Sequence, residues 1–175
     1  MKQVSFFIIV PMLVLACCCD SVTPTEKLPD ATQTGANTFG CLLNGKVWLP
    51  KGNDGTANFS VYYDPSLMGG TLNVGTYRYY GSGNNDRDNM NLYSDSLTQE
   101  GTYALYQKST RGAIYSNWKA CSYANDATVP YKTGELVITK LDLTHGIIAG
   151  TFHFTLYKPG CDSIRITQGR FDKKL

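Results

Sequence analysis

Between Ile147 and Tyr157 the side chains alternate, with Phe152, Phe154 and Leu156 on one side and Thr151, His153 and Thr155 on the other. A period of two belongs to a β-strand with one buried face and one wet face. Glu135 to Asp142 reads as a strand, and Ser163 to Phe171 sets Ile164 and Ile166 against Arg165 and Thr167. Gly169 interrupts that alternation, which predicts a bulge that returns Phe171 to the buried side. Shorter runs precede these: Asn58 to Tyr63, Thr71 to Tyr80, Met90 to Ser94, Thr102 to Tyr106 and Ala113 to Trp118, each bounded by Gly, Asn, Asp or Pro. The first hairpin joins Thr38 to Leu43 with Lys46 to Leu49 through Asn44-Gly45, the pair that suits a type I′ turn because both positions need positive φ. About ten short strands with no helix between them predict an antiparallel β-sandwich, or a closed lipocalin-like barrel as the alternative. Outward Lys, Arg, Gln and Thr argue against a barrel that crosses a membrane.

The first residues follow a different pattern. Lys2 precedes an apolar run of roughly a dozen residues, the length of a signal peptide and too short to span a bilayer. Val14-Leu15-Ala16-Cys17 resembles the lipobox of bacterial lipoproteins, and Leu15-Ala16-Cys17-Cys18 is a second possible frame. The resemblance implies that residues 1–16 are removed and that Cys17 is lipidated. Several acyl chains, each methylene contributing about 0.8 kcal/mol, would anchor the protein to a membrane, the outer membrane of a cell envelope, without spanning it. Residues 17–37 then form the lipidated cysteine and a tether; from Asp20 to Asn37 Ser, Thr, Pro, Gln, Gly and Asn leave little apolar surface to offset ordering entropy. Residues 38–175, about 140 in number, make one β domain.

Composition narrows the function classes. The chain has 16 basic and 14 acidic residues, so no electrostatic case arises for nucleic acid. Twelve tyrosines and seventeen glycines favour strands and turns.

A wider resemblance rests on Phe39 to Trp48, Gly134 to Asp142, Ile147 to Phe154 and Gly169 to Asp172. These segments are similar to a family of Bacteroidota lipoproteins with no assigned activity. The resemblance implies an envelope address and a β architecture, and it supplies no catalytic residue.

Candidate sites are few. Of Cys41, Cys121 and Cys161, the last sits in the turn after the strand ending at Tyr157, whose end lies beside Gly134. Cys121 precedes Gly134 by a short loop, so Cys121 and Cys161 are the expected disulfide in an oxidising envelope; three separate buried thiols are the alternative. His145 and His153 cannot build a metal site between them, and Asp86 to Asn91, although rich in oxygen, puts Met90 at a ligand position of a calcium loop and, with Gly81 to Asn85 before it, reads as a long hairpin loop. Gly81-Ser82-Gly83 is not a nucleophile elbow, and no phosphate-binding or cofactor fingerprint occurs. Rigid aromatics remain. Tyr77, Tyr79, Tyr80, Tyr103, Tyr106, Tyr115 and Trp118 are candidates for a binding face that stacks on sugar rings or anchors a partner protein, although tyrosine also simply suits half-buried strands. The expected function is a non-enzymatic module that binds a glycan or an envelope protein, or has a structural role. A hydrolase using scattered carboxylates is the alternative.

Overall fold

Asn44 and Gly45 both take positive φ, 48° and 83°, and turn the chain between β1 (Thr38–Leu43) and β2 (Lys46–Trp48) as their residue types predict. The computed structural model describes residues 26–81, 86–106, 110–117, 121–123 and 131–175. The next strands are β3 (Phe59–Asp64), β4 (Thr71–Tyr79), β5 (Arg87–Ser94) and β6 (Gly101–Tyr106). They are followed by β7 (Arg111–Asn117), β8 (Ser122–Tyr123), β9 (Tyr131–Asp142), β10 (Ile147–Tyr157) and β11 (Ile164–Lys174).

Among the described residues all strand pairings are antiparallel and fall into two sheets, in the orders β2-β1-β11-β10-β9-β6 and β3-β4-β5-β7-β8. The sheets are not closed on each other, so the fold is a β-sandwich and the barrel alternative is set aside. Their inner faces meet in a core that includes Trp48, Leu72, Leu92, Leu136, Ile148 and Phe154, all at most 2 % exposed. Among the described residues no helix is long and apolar enough to cross a membrane.

The bulge lies where Gly169 predicts it. The β10–β11 register slips between Phe152 and Phe154, Gln168 takes φ 51°, and Phe171 returns to the core at 2 % exposure. A Cβ on Gly169 would stand 2.4 Å from the Phe152 ring, so the residue is also fixed by close packing.

Two expectations need correction. Asp86 to Asn91 reads as a loop, yet Arg87 to Asn91 form the first half of β5, where they pair with β4 and β7. The strand expected from Ala113 to Trp118 starts at Arg111 and is described to Asn117, and Trp118 lies outside the described residues.

The segment before β1 is bound to the sandwich from Glu26 onward. Leu28 and Pro29 pack over Gly40, the Pro29 carbonyl accepts from Arg170, and Glu26 pairs with Arg78 at 3.0 Å. Asp172, 1 % exposed on β11, accepts hydrogen bonds from the Thr32 hydroxyl and from the backbone N–H groups of Thr34, Gly35 and Ala36, all between 2.7 and 3.1 Å. Composition predicts a tether here, but a carboxylate from the opposite end of the chain supplies the acceptors that hold it. Residues 17–25 of that expected tether, with Cys17, lie outside the described residues.

Candidate functional site

Strand β5 alternates strictly, with Asp88, Met90, Leu92 and Ser94 facing the core. Asp88 is therefore carried inward, to 1 % exposure. Its carboxylate is met by four neutral donors: Tyr80 Oη at 2.6 Å, Tyr115 Oη at 2.7 Å, Asn117 Nδ2 at 2.7 Å and Trp48 Nε1 at 3.3 Å. Three of these bonds fall on Oδ2 and one on Oδ1. Burial, and then the adjoining Asp88 carboxylate, raises the pKa of Tyr80 and of Tyr115 well above the ordinary phenol value. Both phenols thus remain donors at neutral pH, and Asp88 acts as a structural acceptor tying β2, β4, β5 and β7 together.

A cavity of about 520 Å³ opens beside this network. The Tyr115 and Tyr123 rings, with centroids 6.3 Å apart, line it together with Leu43 and Ile164. The Cys121–Cys161 disulfide, Cα–Cα 6.2 Å, forms part of its wall, as the hairpin geometry predicts. The polar groups around the cavity are largely held by the fold. The Asn44 amide bridges the Ser163 carbonyl and the Arg165 N–H, the Tyr123 hydroxyl donates to the Asp162 carbonyl, and Asn117 is bonded to Asp88. Asp162 is the one carboxylate among the described residues lining it, so the arrangement offers a shaped concavity without the paired acids of glycoside hydrolysis. Among the described residues no group of His, Cys, Asp and Glu could hold a metal ion. Cys41 stays a free buried thiol, pushed up to about 12 by burial, which makes it unreactive as a nucleophile.

A family model described as Domain of unknown function (DUF6252) matches residues 71–173, more than half of the chain. The chain belongs to the DUF6252 family. The DUF6252 match takes in Asp88, both half-cystines and Asp172, and it leaves β1 to β3 and the bound segment before them outside. No curated protein and no solved structure matches the chain.

The aromatic candidates of this DUF6252 chain do not share one face. Tyr77 is buried, with its hydroxyl donating to the Thr56 carbonyl and the Asp54 carboxylate, and Tyr79 packs edge-on against it. Arg87 lies over both rings. Tyr80 is half exposed, but its hydroxyl is committed to Asp88. Tyr103, in the other sheet, is buried under Arg111 and donates to the Gln99 carbonyl. Tyr115 is buried, Tyr106 is exposed at the end of β6, and Trp118 lies outside the described residues. Tyr77, Tyr79, Tyr80 and Tyr115 thus gather around Arg87 and Asp88 as structural rings. The residues missed from the sequence are Asp88 and Asp172. A detectable signal for Asp88 was its position in phase with Met90 and Leu92, on the side a strand buries.

Proposed function

We propose that this chain is a lipid-anchored, non-catalytic binding module of the bacterial cell envelope, held at the outer membrane through Cys17, with a glycan or an envelope protein as its ligand. The observation that carries the non-catalytic part is the state of the buried carboxylates. Asp88 and Asp172 are each satisfied by hydrogen-bond donors, and the cavity beside Asp88 keeps its shape through a disulfide and two packed aromatic rings. A hydrolase needs a carboxylate free to take or give a proton in a cleft. A binding module needs a rigid concave or flat surface, which this domain has.

The lipobox-like Val14-Leu15-Ala16-Cys17 supports the anchor. With Glu26 bound to Arg78, the link from Cys17 is about nine residues and reaches at most about 30 Å, so the domain sits close to its membrane. Radiolabelled palmitate is expected to enter the protein, and Cys17→Ala with Cys18 retained to alter processing; an unacylated secreted form would refute the anchor. For the binding reading, the purified full-length chain is applied to a glycan array and to cross-linking in intact envelopes. Retention of a glycan or a defined protein partner, with no release of reducing ends, is the expected result. Turnover of a bound glycan, or silence in both assays, would sink it.

A further inference from the structure

The two sheets differ in what they turn to solvent. On the outside of the six-stranded sheet stand Glu135, His153, Arg165 and Arg170, the charged side chains usual for a wet strand face. The five-stranded sheet is different. Reading across its register from β3 to β7, one outward row is Tyr62, Asn73, Tyr93 and Gly112. The next row is Ser60, Gly75, Asn91 and Ile114, and a third is Tyr77, Asn89 and Ser116, in which Tyr77 is covered by Arg87 and bonded to Asp54 and Thr56. No charge stands in these rows. Among the described residues the charged groups bordering them are already engaged: Arg87 is paired with Asp54 at 2.7 Å, Asp64 caps its own turn through Ser66 and accepts from the Tyr62 hydroxyl, and Asp95 accepts from the Thr71 hydroxyl.

At the middle of this face is a polar pit. Gly75 has no side chain, and around the position a Cβ would take stand Ser60 Oγ at 3.3 Å, Asn91 Oδ1 at 3.6 Å and Asn73 Oδ1 at 3.9 Å. Beside it the Tyr93 ring lies across Gly112, where a Cβ would come within 2.4 Å of its hydroxyl; that hydroxyl is buried and has no hydrogen-bond partner among the described residues. Tyr62, 55 % exposed, closes the row on the other side. Amide oxygens and hydroxyls accept and donate to sugar hydroxyls, aromatic rings pack on sugar C–H faces, and a surface without charge neither attracts nor repels ions. Tyr, Ser, Gly and Asn are also the residue types that adaptable recognition surfaces favour.

We propose that the outer face of the five-stranded sheet is the binding surface for a neutral polysaccharide, with a sugar hydroxyl seated in the Gly75 pit between Ser60, Asn73 and Asn91. This rests on the binding-module reading and assigns it a surface and a ligand class. A flat face of several strands suits an extended neutral chain better than the small concavity beside the disulfide does. The segment from Leu28 to Ala36 is held against the other sheet, at Gly40, Arg170 and Asp172.

Affinity electrophoresis of the full-length chain in detergent, through gels holding hydroxyethylcellulose, dextran or mannan, with dextran sulfate as the charged counterpart, tests the proposal. Retardation by at least one neutral polymer, unchanged by added salt, is expected. Gly75→Ala fills the pit and retains the fold, because φ there is ordinary and the exposed Ser60 hydroxyl can rotate aside. Asn91→Asp keeps the shape and adds a charge. Each variant should weaken retardation about tenfold with the wild-type melting temperature retained. Retardation by dextran sulfate alone, none by the three neutral polymers, or retardation indifferent to both variants overturns the surface assignment. A glycan-array hit that survives both variants does so while leaving the binding-module reading intact. A protein partner lost on Gly75→Ala overturns the polysaccharide and keeps the face.

Discussion

Asp88 shows how much one inward carboxylate can organise. Its partners come from β2, β7 and the residue that follows β4, and every one donates to it, so the site is built for an acceptor at both oxygens. Asp88→Asn is nearly isosteric but turns one oxygen into a donor. If the amide nitrogen faces Asn117 it meets another N–H donor, and if it faces the other way it meets the Trp48 N–H, which cannot turn to accept as the two tyrosine hydroxyls can. We expect a loss of about 3 kcal/mol in urea unfolding, the range for leaving buried polar partners unpaired. A loss within experimental error would show that Asp88 is not the centre of the network. At this scale the sequence was legible in part. Phe152, Phe154 and Phe171 could be assigned to the core from alternation alone, whereas Asp88 was obscured by its oxygen-rich neighbours, which read as a loop. The tyrosines misdirect for a related reason: a ring count cannot distinguish a ring that faces solvent from one whose hydroxyl is bonded beneath the sheet.

Elements were the most legible level. Asn44-Gly45, the boundaries of β10, the end of β9 and the bulge at Gly169 all follow from local chemistry that acts over a few residues, whereas β9 begins at Tyr131, before the expected Glu135. Which strands pair was not legible, because β1 beside β11 and β6 beside β9 are decided by packing across the core. The disulfide is an intermediate case. Its pairing followed from the hairpin of β9 and β10, which brings the Cys161 turn back to the edge where Cys121 arrives. With the half-cystines 40 positions apart, the chain-entropy model assigns the bridge about 3–4 kcal/mol. Cys121→Ser with Cys161→Ser should lower stability by about that amount, read by chemical denaturation against wild type without reductant. Cys41→Ser, leaving the bridge in place, tests a different matter, the burial of a hydroxyl in the core. Equal stability of the double variant and wild type would mean that the loops hold their places without the bond.

For the whole molecule the informative feature is the segment from Glu26 to Asn37. It has no hydrophobic pattern, so its order could not be foreseen from its own residues; the cause is Asp172, as far as 140 positions away in sequence. Burial alone would raise the pKa of Asp172, but hydrogen bonds from Thr32, Thr34, Ala36 and Gly35 outweigh it and hold the carboxyl below its ordinary value. A carboxyl depressed in the folded state contributes stability above its unfolded pKa of about 3.9, and that contribution is lost as pH falls through the lower folded value. The amides of Thr34, Gly35 and Ala36 should therefore remain protected from hydrogen exchange at neutral pH and lose protection below about pH 4. In Asp172→Asn they should be unprotected already at neutral pH, with about 2 kcal/mol lost overall. Protection that persists in the variant would assign the order of the segment to the Leu28 and Pro29 packing instead.

The Asp172 contact also has a consequence in time. On leaving the ribosome or a membrane channel alike, Thr32 to Ala36 and β1 emerge before the other strands, while β11, which carries Asp172 and forms most of the pairing of β1, emerges after all of them. Until then β1 has the short β2 as its neighbour, and the donors of the early segment have no acceptor. The six-stranded sheet thus closes from its last strand to its first, and the docked N-terminal segment certifies a chain that has been made through to Asp172. A chain that stops short of β11 leaves that segment without its acceptor.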